Sequence, residues 1–310
     1  MSIATQPLAV PRTPLTLARD YAELTKLRVT TLVVMTAWCG YYFGAARSGN
    51  SSLSWGLLHS LVGIGLIAGG TAALNEVMEF EVDGRMRRTA QRPLPTGRMS
   101  RTHGLIAGLA MTLSGAVYLG FVMNALTGWL SVATAAVYLA AYTPLKKVHP
   151  ICTFVGAFPG AMPGVLGWTA ARGRLDWGAA VMFAIVFFWQ FPHFFSIAWL
   201  YREDYAAGAI RMLPVVEADG RSTARQIVAY SVALIPVTLA PAFMGMAGRI
   251  YLVAALAMGL ALLYVGVRLA SLDAPITAAV SKQRARQLLQ ATVFYLPLLF
   301  IVMMLDTVSS

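Results

Sequence analysis

Asn75, Glu79 and Asp83 recur at intervals of four residues near the end of a long apolar run. On an α-helix that spacing places all three side chains on one face, about 6 Å of rise apart. Gly84 is a plausible C-cap, and Pro93 and Pro95 prevent the helix from continuing far. The acids therefore sit near a helix C-terminus, whose partial negative charge favours a cation. One amide oxygen and two carboxylates suit Mg²⁺, which takes hard oxygen ligands and commonly shares them with substrate phosphates. Arg85, Arg88 and Arg92 follow at once, and the guanidinium fork matches phosphate oxygens. Glu76 and Glu81 point away from this face and read as ordinary residues of a solvated helix end. The chemistry implied is metal-assisted handling of a phosphorylated substrate.

The elements that hold these residues are membrane spans. The 310 residues are 58% hydrophobic and 12% charged, against about 25% charged in a soluble domain. Mean hydropathy is +0.66. An all-α, polytopic membrane protein follows, with about nine spans near 29–45, 56–78, 104–123, 125–143, 151–171, 177–200, 227–246, 250–270 and 288–305. With the N-terminus inside, twenty of the 24 Lys and Arg residues fall on the cytoplasmic side, and only Arg47, Arg172, Arg174 and Arg249 fall opposite. That asymmetry accounts for the net charge of +11 without nucleic acid. Cys39 and Cys152 both lie in apolar runs, which excludes a disulfide framework or a zinc site. Early prolines (Pro7, Pro11, Pro14) and the lack of a basic-then-apolar start argue against a cleavable signal peptide. The chain divides into a cytoplasmic segment 1–28, one membrane domain 29–305 and a tail 306–310, with the C-terminus on the far side. The loops after the second and sixth spans are long and charged, which places function on the cytoplasmic face.

Two stretches admit more than one reading. Span five carries Gly156, Gly160 and Gly164 with Pro159 and Pro163 between them; the spacing suits close helix packing, with a substrate groove as the alternative. His193 follows Pro192 in an aromatic span. It can bond a neighbouring helix, or it can act as a ligand.

The stretch Asn75-xxx-Glu79-xxx-Asp83-xx-Met86-x-Arg88-Thr89-xx-Arg92-Pro93-Leu94 resembles the first motif of the protohaem IX farnesyltransferases (haem O synthases). These form a branch of the UbiA-type intramembrane prenyltransferases. The similarity continues through Leu24–Thr30, with Leu27 where a proline is common. It extends to Tyr142–Lys147, Trp189–Phe194, and Arg202-Glu203-Asp204-Tyr205 through Met212-Leu213-Pro214-Val215. Glu79 stands where generic UbiA enzymes carry Asp, and Asp204 is the clearest acid of a reduced second acidic motif. Both departures suit the haem branch.

The resemblance implies transfer of a farnesyl group from farnesyl diphosphate to a vinyl group of protohaem IX, with water addition, giving haem O and diphosphate. It implies that helices ring a central cavity open to the cytoplasm. Asn75, Glu79 and Asp83 would anchor Mg²⁺, with Asp204 a candidate second-site ligand; Arg88, Arg92 and Lys146 would hold the diphosphate. His193 would face the haem, and Arg202 or Arg211 its propionates. Haem is then a substrate, Mg²⁺ the cofactor, the bacterial inner membrane the expected location, and a downstream haem A synthase a candidate partner. The alternatives are a UbiA-type enzyme with an aromatic or quinone-precursor acceptor, and a transporter with a carboxylate site at the cytoplasmic face.

Overall fold

The computed structural model describes residues 13–308. The expected N-terminal segment and tail therefore fall partly outside it, at 1–12 and 309–310. The described chain is helical, with one isolated bridge between Ala247 and Thr307. In order, the helices are α1 (Pro14–Leu24), α2 (Leu27–Ala46), α3 (Trp55–Asp83), α4 (Arg101–Tyr118), α5 (Ala125–Ala136), α6 (Thr143–Leu145), α7 (Cys152–Arg172), α8 (Trp177–Leu200), α9 (Arg202–Ala207), α10 (Leu213–Val216), α11 (Arg221–Phe243), α12 (Arg249–Ala270) and α13 (Ala279–Leu305). Two π-helical stretches, Leu119–Met123 and Val137–Tyr142, extend α4 and α5.

Among the described residues, eight helices are long and apolar enough to cross a bilayer. The ninth span of the sequence reading corresponds to α7, a 21-residue helix that is not among those eight. Glycine and proline dilute its hydropathy, and it has less need of greasy side chains because most of it packs against α2 and α8 rather than facing outward. A Cβ on Gly40 would lie 1.9 Å from the Gly164 carbonyl oxygen, and one on Gly167 1.9 Å from that of Ala37. Backbone thus meets backbone between α2 and α7, as small residues permit in membranes. Gly156 and Gly160 instead accommodate the Tyr142 ring and the Gln190 amide. Pro159 and Pro163 are absorbed within a continuous helix.

Several helices outrun their apolar stretches. α3 reaches Asp83, α11 starts at Arg221 and α13 at Ala279. Helical hydrogen bonds are local, so a span persists after the hydrophobic run that inserts it has ended. α3 has 29 residues, about 44 Å of rise, against roughly 30 Å of hydrocarbon. Its last turns therefore carry Asn75, Glu79 and Asp83 to the membrane boundary. Gly84 does cap α3, but in right-handed rather than left-handed conformation, and the chain runs on in turns. The main core lies among α7, α8, α11, α12 and α13, around Trp168, Met182, Phe191, Tyr251, Leu288 and Leu299. Large apolar residues on the outside, such as Ile106, Leu113, Phe121, Val253 and Phe294, belong to a surface that lipid covers.

Candidate active site

Asn75, Glu79 and Asp83 share a face of α3 and are only 1%, 3% and 1% exposed. Two buried carboxylates are costly unless paired, and each member of the trio has its own cationic partner. Lys26 donates from Nζ to Asn75 Oδ1. Lys146 pairs with the Glu79 carboxylate. Arg92 Nη1 donates to Asp83 Oδ2 at 2.6 Å. The three cations arrive from three different segments, and the packing of α3 against them assembles the site.

Local structure explains each arrival. Lys26 sits at the N-cap of α2 with φ of 49°, the left-handed region that costs a non-glycine residue energy and often marks a constrained site. Burial, followed by the charges of Arg92 and Lys146, pulls Lys26 down to about 8 against the opposing pull of Glu79 and Asp83. Just before Lys146 the chain widens into the π-helical stretch Val137–Tyr142, a feature frequent at functional sites. There Thr143 Oγ1 donates to the Tyr138 carbonyl at 2.9 Å and accepts from Asn75 Nδ2 at 3.1 Å. Arg92 is delivered by a tight run of turns in which Thr89 Oγ1 donates to the Asp83 carbonyl at 2.8 Å.

Lys26 and Thr143 are site residues that the side-chain pattern alone did not single out. Their signal was indirect: both lie in stretches that resemble the family. Glu76, read above as solvated, requires correction. It is 0% exposed and accepts from the Leu94 backbone N–H at 3.4 Å, while its Oε2 is buried with no hydrogen bond. The helix that aims Asn75 at the site turns Glu76 into the packed loop around Leu94. Glu81 is exposed as expected.

The contacts of the remaining expected residues lie outside the trio. Asp204 accepts from the backbone N–H groups of Arg87 and Arg88 at 3.2 and 3.1 Å and lies 3.8 Å from the Arg87 side chain. It thereby ties the loop after α3 to α9. Arg88 is exposed; it donates to Tyr205 at 3.1 Å and lies over the Tyr201 and Tyr205 rings. Arg202 Nη2 donates to the Glu217 carbonyl at 2.8 Å. Arg211 contributes its backbone, whose N–H donates to the Lys146 carbonyl at 2.7 Å, while its side chain is in an exposed residue. Arg85 and Lys147 are exposed.

His193 lies between α8 and α13, away from the trio in its contacts. Its ring stacks on Trp189 at 4.8 Å, and Nδ1 is 3.0 Å from Thr292 Oγ1. Thr292 Oγ1 already donates to the Leu289 carbonyl at 2.7 Å, so it must accept from His193 Nδ1–H. The lone pair of the neutral ring therefore sits on Nε2. Trp189 Nε1 donates to the Thr292 carbonyl and Gln190 Nε2 to that of Ala157, both at 2.9 Å, fixing α8 between α13 and α7.

The donor set suits a hard divalent cation: amide and carboxylate oxygens, nearly dry, with Glu79 Oε1 buried and making no hydrogen bond beyond its ion pair with Lys146. Asn75, Glu79 and Asp83 could hold Mg²⁺. Among the described residues no three His, Cys, Asp or Glu side chains converge as a metal cluster; the trio itself has two carboxylates and one amide. Both Asp204 oxygens are engaged by backbone N–H groups, which disfavours it as a ligand in this arrangement.

The UbiA prenyltransferase family matches residues 33–288. The protoheme IX farnesyltransferase of Koribacter versatilis is 62% identical over 307 residues, 99% of each chain. That of Solibacter usitatus is 50% identical over 298 residues, 93% of this chain and 98% of its own. Among solved structures, digeranylgeranylglyceryl phosphate synthase superposes with a TM-score of 0.75 at 14% identity, covering 93% of this chain and 98% of that one. A UbiA homologue from Archaeoglobus fulgidus bound to GPP and Mg²⁺ gives 0.64 at 16%, covering 92% and 99%. With its multiple apolar spans and its buried acidic face, this chain belongs to the UbiA prenyltransferase family of multi-pass membrane enzymes.

Proposed function

We propose that this protein transfers the farnesyl group of farnesyl diphosphate to a vinyl group of protohaem IX, giving haem O and diphosphate. The observation that carries the proposal is the buried Asn75–Glu79–Asp83 face with Lys26, Lys146 and Arg92 upon it, in a chain 62% identical to a protoheme IX farnesyltransferase.

Asn75, Glu79 and Asp83 would hold Mg²⁺, which when bound supplies Lewis-acid stabilisation of the diphosphate leaving group. Lys26, Lys146 and Arg92 neutralise the acids before substrate arrives. With the acids engaged by the metal, the same three cations can turn to the diphosphate oxygens and stabilise the charge that develops as the allylic C–O bond breaks. Arg88, on the rim among tyrosines, would meet the diphosphate as it enters. Spans around the site shelter the farnesyl cation from bulk water. The haem vinyl π electrons form the new C–C bond. Water adds to the resulting haem-side cation and loses a proton, leaving a hydroxyethylfarnesyl group.

His193 Nε2 is the atom suited to contact haem iron, with Thr292 orienting the ring as an outer-shell partner does. Arg202 and Arg211 are the candidates for the propionates. The acceptor approaches a cavity open to the cytoplasm, in the bacterial inner membrane, with the N-terminus inside and the C-terminus outside. Residues 1–28 remain the cytoplasmic segment and 29–305 the enzyme domain, with 306–310 as the tail. A haem A synthase would consume the product.

The test is incubation of purified protein with protohaem, farnesyl diphosphate and Mg²⁺, following haem by mass. Farnesylated haem that requires Mg²⁺ and disappears in Glu79→Gln is expected. Prenylation of an aromatic acid without a haem product would move the chemistry to another acceptor. No prenyl transfer by folded protein would refute the reading.

A further inference from the structure

Three of the four arginines on the face opposite the acidic site converge. Arg47 follows the end of α2, Arg172 ends α7, and Arg174 precedes α8. Together with Ser48 and Gly49 they line a cavity of about 490 Å³. Lys26 lies at the other end of α2, whose 20 residues span about 30 Å, so the cavity is distinct from the acidic site.

Positive charge on this side runs against the distribution of the rest of the chain, and its local neutralisation is incomplete. The Arg172 side chain is 10% exposed, with Nε 3.0 Å from Asp176 Oδ2. Its Nη1 is buried without a hydrogen-bond partner among the described residues. Asp176 also faces Arg174 at 3.7 Å, while its other oxygen caps α8 through the N–H groups of Gly178 and Ala179. Arg47 Nη1 reaches a neutral acceptor, the Gly245 carbonyl, at 3.2 Å. One partly committed carboxylate thus serves two of the three guanidinium groups, and the third has only a carbonyl. The buried edge of the Arg172 guanidinium lies over the Trp168 ring at 5.6 Å, and an anion in the cavity would balance the positive charge that Asp176 leaves over.

The depth of the cavity indicates what that anion is. Trp55, Trp129 and Trp177 lie near the same ends of α3, α5 and α8 and are 77%, 73% and 80% exposed. Exposed tryptophans settle at the headgroup level of a bilayer, and Trp177 is three residues from Arg174. We propose that this cavity binds the phosphodiester headgroup of an anionic phospholipid in the leaflet opposite the acidic site. Arg47 and Arg174 would flank the phosphate, with Arg172 supplying positive charge at the cavity wall.

The test compares the parent with Arg174→Gln and Arg47→Gln/Arg174→Gln; Arg174, 66% exposed on its side chain, can change without opening the core. Each protein is extracted from nanodiscs of phosphatidylcholine and phosphatidylglycerol at a 3:1 ratio and examined by native mass spectrometry. A phosphatidylglycerol adduct is expected on the parent, falling about tenfold in the double variant while prenyl transfer is unchanged. Equal retention by parent and double variant would overturn the site. In a second arm, inorganic phosphate is titrated into the delipidated protein at constant ionic strength. Thermal stabilisation by phosphate, with no lipid retained, would overturn the lipid assignment in favour of a free anion. Stabilisation by phosphatidylglycerol that disappears in the double variant supports it.

Discussion

Asp204 holds the backbone N–H groups of Arg87 and Arg88, 3.2 and 3.1 Å away, across 117 and 116 residues of sequence. The acid of the reduced second motif therefore clamps the loop that carries Arg88 and Arg92. Asp204→Ala should cost about 1–3 kcal/mol of stability through the loss of two charge-assisted hydrogen bonds. It should lower the rate without changing the Mg²⁺ concentration at half-maximal activity. A large shift in that concentration would restore Asp204 as a metal ligand.

Lys146 and Glu79 form a buried pair, 12% and 3% exposed on their side chains. Lys146→Ala takes the ion-pair partner from the buried Glu79, which should destabilise the metal-free protein by about 3–5 kcal/mol. Saturating Mg²⁺ should recover part of that loss, because the cation replaces the missing charge. Thermal unfolding with and without Mg²⁺ tests this; equal losses in both would place the effect elsewhere.

Lys26 has its ammonium pulled down to about 8. Because its ordinary value is 10.5, the folded protein holds fewer protons on this group than the unfolded chain between those two values. This group's contribution to stability therefore rises with pH through that window. Diphosphate binding runs the other way, since it needs the charged form. The KM for farnesyl diphosphate should increase above about pH 8, and Lys26→Arg should flatten the profile because arginine stays charged. An identical profile in the variant would remove Lys26 from the diphosphate site.

Gly167 allows α7 to approach the Ala37 carbonyl, and a Cβ there would sit 1.9 Å from it. Gly167→Ala should separate α2 from α7 and cost about 1–3 kcal/mol through overpacking. Because α2 follows Lys26, the variant should also weaken prenyl diphosphate binding. Gly49→Ala, at a position with open space but φ of +66°, should perturb only its own turn.

Much of the molecule was legible in the sequence for local reasons. Apolar runs located the spans, and a period of 3.6 residues placed Asn75, Glu79 and Asp83 on one face whatever packs against it. The same local rule said nothing of what that face would meet. Lys26, Thr143 and Lys146 lie 49, 68 and 67 residues from their partners on α3. Their convergence depends on the left-handed turn before α2 and the π-helical stretch before α6. Glu76 read as solvated because its spacing excluded it from the acidic face, yet spacing cannot say whether the opposite face meets water or a packed loop. Asp204 was recognisable as an acid near phosphate-binding residues; only the meeting of two distant loops made it a clamp. Sequence determined which residues share a helix face, because helical geometry repeats every turn. Tertiary structure decided their partners, because those contacts join segments whose separation no local period encodes.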